Sequence, residues 1–322
     1  MKVCVIGAGA IGGWMAGLLA DAGNDVCLFA RGETLAALNA NGLKVRRKDE
    51  EQIYRLRASN DPAELGVHDA VVIAVKGQGV STIATSAKAL MAKDAIVIPA
   101  VNGIPWWFFQ VRGVPQSGFA LSSVDPDGET GKAIAPERVV GCVVHASAWT
   151  PEPSVVEVNS EDKLIFGEPG GAKSPRVEAL AAAFGKPDMQ VVVSDNIRRD
   201  IWLKLWGNMT MNPLSVLTGA TTLQMLSDSD VTGLVRAMMI EMQEIGTKIG
   251  LPIPLTPEDR MAITRKLGNI KTSMLRDWEA HRELEIAPIL GVLAEIADRV
   301  RVPAPFLHAV LGLLRLRAET KP

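Results

Sequence analysis

Cysteine is scarce in this 322-residue chain, where only Cys4, Cys27 and Cys142 occur. They form neither a CxxC pair nor an even-numbered framework, which argues against disulfides and a structural zinc site. Cys4 and Cys27 read instead as small core residues on strands. Histidine is nearly as rare, and none of His68, His145, His281 and His308 stands in an HExxH pattern. A GxSxG elbow is missing too, so hydrolase and metalloenzyme readings find no support. His281 is the one histidine with polar residues of interest nearby in sequence. There is no basic excess: 34 Lys and Arg face 36 Asp and Glu, mostly interspersed, which is not the pattern of a phosphate-backbone binder. Long apolar runs are absent, the longest being Ala10 to Ala20, far short of the ~20 residues that cross a bilayer. No basic n-region, apolar h-region and cleavage site precede the first strand-like run, so the expected location is cytoplasmic. The expected partners accordingly exclude nucleic acid and membrane.

What is present is the composition of an ordinary globular protein, 48% apolar and 22% charged. The length suits two domains, each with its own core. Lys2 to Ile6 is an apolar run, Gly7 to Gly13 a glycine-rich turn, Trp14 to Ala22 a helical stretch ended by Gly23-Asn24, and Asp25 to Ala30 a second strand. Asp69 to Val75 and Ala95 to Val101 are continuous apolar runs, as in central strands of a parallel sheet buried on both faces. Leu43 to Val45 and Ile53 to Leu56 read as a solvated hairpin about a charged turn at Arg47 to Glu51. The alternating segments from Val139 to Gly167, around Pro151-Glu152-Pro153 and Asn159-Ser160, read as hairpins extending the sheet. Breaker-rich linker candidates are Gly167 to Pro175 and Gly185 to Asp188. Helical periodicity then takes over, with candidate helices near 196–210, 228–250, 257–268, 270–301 and 304–318. The expected fold class is α/β: a doubly wound domain over residues 1–195, followed by an all-α domain over 196–322.

Gly7-Ala8-Gly9-Ala10-Ile11-Gly12 is a GxGxxG placed after a strand and at the opening of a helix, the context that makes the pattern specific for a dinucleotide. The first glycine permits the turn, the second lets a pyrophosphate approach the backbone, and the third lets helix and strand pack closely. The helix start offers unpaired N–H groups to the phosphates. About twenty residues on, an NAD site would carry an acid for the ribose 2′-hydroxyl. Here the second strand ends in Phe29-Ala30-Arg31, and the arginine suits the 2′-phosphate of NADPH. Lys76, beyond the Asp69 to Val75 strand, lies on the ligand-binding edge of such a sheet, and either reaches the cofactor or is solvated.

Lys204, Asn208 and Asn212 recur at every fourth position among Trp202, Leu205, Trp206 and Met209, so one helix would carry them on one face. A lysine there either snorkels out or meets a buried partner, and burial would bring it toward proton transfer. A second polar set, Ser273, Asp277 and Glu285, reads by itself as an exposed charged helix.

Taken together, GAGAIGG, Arg31, Asn102-Gly103, DIWLKLWGNMTMNPLS and TSMLRDWEAHRELEI resemble, in order and over almost the whole chain, the motifs of the ketopantoate reductases. The resemblance implies a Rossmann-type domain followed by a helical domain, as in 6-phosphogluconate dehydrogenase-like proteins, with the site in the cleft between them. It implies NADPH as cofactor and a small 2-keto acid as substrate. Lys204 would be the proton donor, with Glu285 as the acid near that lysine and the nicotinamide ribose. Asn102, Asn208, Asn212 and Ser273 would hold cofactor or substrate. The chain departs from the pattern at Val101, where the family has glutamine, at Ala287, where it has aspartate, and at Thr222, where it has asparagine. The run Trp106-Trp107-Phe108-Phe109 fits a core or a subunit interface better than a substrate wall, and a homodimer is left open. Two other readings remain, a related NADP-linked dehydrogenase with a different substrate and a non-catalytic NADPH sensor.

Overall fold

The computed structural model describes residues 1–48, 50–185 and 189–320. Asp49, within the expected charged turn, and the last three residues of the Gly185 to Asp188 linker candidate lie outside the described residues. The chain forms two compact units, Met1–Val101 with Asp127–Asp200, and Asn102–Pro126 with Ile201–Pro322. The stretch Asn102–Pro126 thus groups with the helices of the second unit, although a single division near residue 195 would leave it in the first.

The first unit contains β1 (Lys2–Ile6), β2 (Asp25–Phe29), β3 (Leu43–Arg47), β4 (Glu50–Tyr54), β5 (Arg57–Ser59), β6 (His68–Ile73), β7 (Met91–Pro99), β8 (Gly141–Trp149), β9 (Val155–Gly167) and β10 (Gln190–Val193). One sheet has the order β5-β2-β1-β6-β7 with every neighbour parallel. This is the doubly wound order in which the chain leaves β1 in opposite directions, and ligands bind beyond the carboxyl ends at that switch point. The apolar runs of β1 and β6 are buried because both faces of the sheet are covered. The Ala95 to Val101 run is not central, since β7 ends the strand order.

The expected hairpins do not extend this sheet. They build a second one, in which β9 pairs with β8, β3 and β10, and β3 pairs with β4. β9 runs unbroken through Asn159-Ser160, its alternation disturbed by register shifts against β8 and not by a turn. The helix Ala10–Asp21 explains why two sheets are needed. Its residues Trp14, Met15, Leu18 and Leu19 are fully buried in one core with Val3 and Val5 of the first sheet and Val45, Val156 and Phe166 of the second. A helix apolar on all sides must be covered on all sides. Trp14 Nε1 finds its acceptor in Glu161 Oε2 of the second sheet at 2.6 Å.

The second unit is helical, as expected. Its helices are Ile197–Thr218, whose first turn belongs to the first unit, then Thr222–Ser227, Ser229–Lys248, Pro257–Lys266, Ser273–Glu279, Val292–Val300 and Pro305–Glu319. The expected continuous helix over 270–301 does not form. Ser273–Glu279 stops, residues 282–285 have no regular secondary structure, and the chain re-enters helix through a π-turn at Ala287–Gly291. Pro288 makes the break local, since its ring excludes the preceding backbone from a regular helix.

Glu295 ties the stretch Asn102–Pro126 to this unit. Its carboxylate accepts from Ser122 N at 2.7 Å, Ser122 Oγ at 2.8 Å and Ser123 N at 2.8 Å. Burial disfavours the charged form, but the hydroxyl and amide donors of Ser123 and Ser122 outweigh it and hold the Glu295 carboxyl below its ordinary value of 4.5. Stability from this contact is complete above the unfolded value and is lost as pH falls through the lower folded one. Glu295→Gln should therefore cost about 1–2 kcal/mol at pH 7. The difference from the unmodified protein should shrink in acid, and urea unfolding at pH 7 and at about pH 3.5 measures both. An undiminished difference in acid would remove the carboxylate from this role.

Candidate active site

β1 is paired to β2 and β6 so that Ile6 lies opposite both Phe29 and Ile73. The three strand ends are therefore level, and from them leave the glycine loop, Ala30-Arg31 and the segment leading to Lys76. Gly7 has φ +94°, open to glycine and strained for other residues. A Cβ on Gly12 would lie 1.8 Å from the Gly7 carbonyl oxygen, so only a bare Cα lets the helix start this close to the strand. Gly9 is exposed, with open space where a side chain would be, and caps Ala10–Asp21 without a side-chain bond. Ala8 is buried, Ala10 and Ile11 half-buried. The loop thus leads into a helix start whose first N–H groups have no side-chain cap, the kind of donor set that binds a pyrophosphate. Arg31 is exposed, caps the next helix and lies 5.4 Å from the Phe29 ring. Lys76 is half-buried and precedes the short helix Gly77–Gly79.

In the second unit, Ile197–Thr218 continues through all three polar positions, so Lys204, Asn208 and Asn212 do share a face. Trp202, Leu205, Trp206 and Met209 are buried beside them. Lys204 and Asn208 are half-buried and Asn212 is buried, its Nδ2 without a hydrogen-bond partner among the described residues. An unpaired buried donor is costly.

Lys204 Nζ donates to Asn102 Oδ1 at 3.0 Å, and Asn102 Nδ2 donates to Glu285 Oε2 at 3.0 Å. One amide therefore faces a cation with its carbonyl and an anion with its NH₂, which fixes the orientation of all three groups. The backbone explains the placement. Gly103 has φ +81°, and a Cβ there would fall 1.9 Å from the Pro288 carbonyl oxygen, which also accepts from Ile104 N at 3.0 Å. The Asn102-Gly103 turn is pressed onto the π-turn that follows Glu285, so the two bridge partners are located by the same contact. π-turns of this kind recur at functional sites.

The other expected residues are distributed less simply. Ser273 is the exposed first residue of its helix, one position after the cap Thr272, which is bonded to Ser215 at 2.6 Å. Thr222 is buried, and its hydroxyl donates to the carbonyls of Gly268 and Ile270. Trp106, Trp107, Phe108 and Phe109 are all buried in the second unit, Phe108 lying 6.4 Å from Trp202, and so belong to its core. His281 is exposed. Sequence reading missed the grouping of His68 with Cys4 and Cys27, whose donor atoms lie within 4.8 Å of one another in the first unit. The Cys4 thiol, opposed by burial, and His68 favour the Cys27 thiolate and bring the Cys27 thiol below its ordinary range. Among the described residues these three buried donors fall one short of a closed tetrahedral zinc site.

Residues 3–106 match the sequence profile of "Ketopantoate reductase PanE/ApbA" and residues 196–318 that of its C-terminal domain. The 2-dehydropantoate 2-reductase of Mesorhizobium japonicum is 38% identical over 316 residues, 98% of this chain and 97% of the relative. The chain belongs to the ketopantoate reductase family. A Ralstonia solanacearum structure provisionally named as a ketopantoate reductase is 43% identical, with a TM-score of 0.95 over 99% of this chain and 98% of that one. The ternary structure of D-mandelate dehydrogenase with NADH and anilino(oxo)acetate has the same fold, with a TM-score of 0.85 over 99% of each chain at 19% identity. Ketopantoate reductases are oxidoreductases, and no helix among the described residues is long and apolar enough to cross a membrane.

The contact at Gly103 yields a prediction for this family member. Gly103→Ala adds both left-handed strain and a backbone clash, and should destabilise the chain by ~3 kcal/mol or more. Thermal unfolding measures it. An unchanged midpoint would mean that the turn relaxes without cost and does not fix the bridge.

Proposed function

We propose that this chain reduces a 2-keto acid, first of all 2-dehydropantoate (ketopantoate) to pantoate, with NADPH as hydride source and Lys204 as proton donor. The observation that carries the reading is the bridged set Lys204, Asn102 and Glu285. The glycine loop fits a dinucleotide by its bare approach at Gly12 and its uncapped helix start. Arg31, exposed after β2, would pair with a 2′-phosphate, and Lys76 would add a second cation on the same sheet edge. Bound NADPH supplies the hydride.

The residues of the chain do the rest. Hydride addition leaves negative charge on the keto oxygen, and the Lys204 ammonium offsets that charge and then gives the oxygen a proton. Asn102 holds the ammonium in place, and Glu285 holds Asn102 while balancing the charge of the lysine. Asn208 and Asn212 lie along the same face, where neutral amides can bind the oxygens of a hydroxy acid, and the unpaired Asn212 Nδ2 is suited to one of them. Ser273 would act from the neighbouring helix start. A second reading, a 2-keto acid with a less polar tail, is favoured by Thr222, whose hydroxyl is already engaged by backbone carbonyls.

Purified protein, NADPH and a panel of 2-keto acids test the proposal through loss of reduced-nicotinamide absorbance. Turnover is expected with ketopantoate. A higher kcat/KM for acids with less polar tails selects the second reading, and no turnover with any member returns the chain to the sensor reading. Lys204→Ala should lower kcat by ~10²–10⁴-fold with cofactor affinity near normal. Since lysine donates only when protonated, the reductive rate of the unmodified enzyme should fall at alkaline pH. A mutant that keeps most of its turnover would move the acid elsewhere. Arg31→Ala should weaken NADPH binding roughly 10- to 100-fold and change NADH binding little, as fits the loss of one charge-assisted contact. Equal affinity of the unmodified protein for both cofactors would sink the NADPH preference.

A further inference from the structure

A 2-keto acid arrives with a carboxylate, and the bridged set has no net charge to receive it. Lys204 and Glu285 cancel, while Asn102, Asn208, Asn212 and Ser273 are neutral. One arginine meets the need. Gly207 stands inside the helix Ile197–Thr218, where glycine is a poor choice. A Cβ there would lie 1.9 Å from Arg260 Nη2, 2.6 Å from Cζ and 2.9 Å from Nε. The guanidinium therefore rests directly on the backbone of the helix that carries Lys204, in space that only glycine leaves open. Positions 204 and 207 are three apart, and such pairs have Cβ atoms about 5–6 Å apart on one surface.

Arg260 extends from the helix Pro257–Lys266, half-buried, and its guanidinium hydrogen bond among the described residues is from Nη1 to Thr264 Oγ1 at 3.1 Å. A guanidinium has five N–H donors. No carboxylate pairs with Arg260 among the described residues. Burial, with no acid to oppose it, lowers its pKa from the ordinary arginine value. A desolvated cation without a counter-charge is stabilised by any anion that reaches it.

We propose that Arg260, seated on Gly207, binds the carboxylate of the substrate while Lys204 meets the adjacent keto oxygen. The proposal rests on the reading of the chain as a 2-keto acid reductase. Its distinguishing feature is a planar fork matched to a carboxylate, which lysine cannot reproduce.

Oxamate, an unreactive 2-keto acid analogue, tests the anchor without turnover. Its affinity for the NADPH-loaded protein is measured by calorimetry for the unmodified chain, Arg260→Met, Arg260→Lys and Gly207→Ala, with thermal melts to establish folding. Arg260→Met should weaken oxamate roughly 10- to 100-fold, the loss of a charge-assisted bond, with NADPH affinity unchanged. Arg260→Lys should recover part of the loss, and Gly207→Ala, by displacing the guanidinium, should reproduce part of it. In kinetics, Arg260→Met should raise KM for 2-keto acids but not for the corresponding 2-keto amides. Oxamate binding that is undetectable in the unmodified protein, or equal in folded Arg260→Met, overturns the anchor. Should Arg260→Met fail to fold, wild-type affinity in both Arg260→Lys and Gly207→Ala overturns it equally. Arginine-dependent oxamate binding without reduction of any 2-keto acid upholds the anchor and rejects the reductase reading.

Discussion

The second unit is organised around one amide. Asn102 can hold Lys204 and Glu285 only if its backbone is fixed to better than a hydrogen-bond length, and that precision comes from the contact of Gly103 with Pro288. The requirement propagates outward. The stretch Asn102–Pro126 has no regular strand or long helix of its own, so its place depends on tertiary ties: the Glu295 carboxylate at Ser122 and Ser123, and the burial of Trp106 to Phe109. A loop that carries a chemical group is useful only when a rigid frame positions it.

The amide also solves an electrostatic problem. Moving a lysine and a glutamate out of water is expensive, and their attraction repays the cost only with good geometry and additional hydrogen bonds. A neutral amide between them gives the ammonium an acceptor and the carboxylate a donor without adding charge. The bond to Asn102 draws on one of the three donors that an ammonium carries.

The parts of this architecture that were legible in the sequence are those governed by local rules. GxGxxG between an apolar run and a helix located the turn, because Gly7 and Gly12 answer to backbone contacts a few residues apart. The spacing of Lys204, Asn208 and Asn212 located a helical face, because helical period is a local property. The parts that stayed hidden depend on distant partners. β9 looked like hairpins because bulges interrupt its alternation, and its membership of a second sheet is decided by β3 and β8. The helix expected over 270–301 breaks at residues 280–285, just before the π-turn whose Pro288 lies against Gly103, almost two hundred positions away in the chain. Glu285 looked like one charge on an exposed face, yet is buried against Asn102. Only the family resemblance singled it out. His68 joined Cys4 and Cys27 unseen, since strand adjacency is not written in any single strand.

The helix Ile197–Thr218 shows how such a site coexists with a stable fold. Between Lys204 and Pro213 it contains Gly207, Asn208, Asn212 and Pro213, which together forgo roughly 5 kcal/mol of intrinsic helix preference relative to alanine. Isolated in water, this stretch would not hold a helix. Trp202 and Trp206 are almost wholly buried, and at ~25 cal/mol per Å² each contributes roughly 4–5 kcal/mol before the entropy of fixing it. Burial of two tryptophans is thus of the size needed to hold the helix despite its sequence. Helicity here is imposed from the apolar side, which leaves the opposite side free to carry polar residues that do little for a helix: a lysine, neutral amides and a glycine flat enough to seat a guanidinium. The same division explains why the polar line reads as anomalous in sequence, since nothing on that face was selected for helix formation.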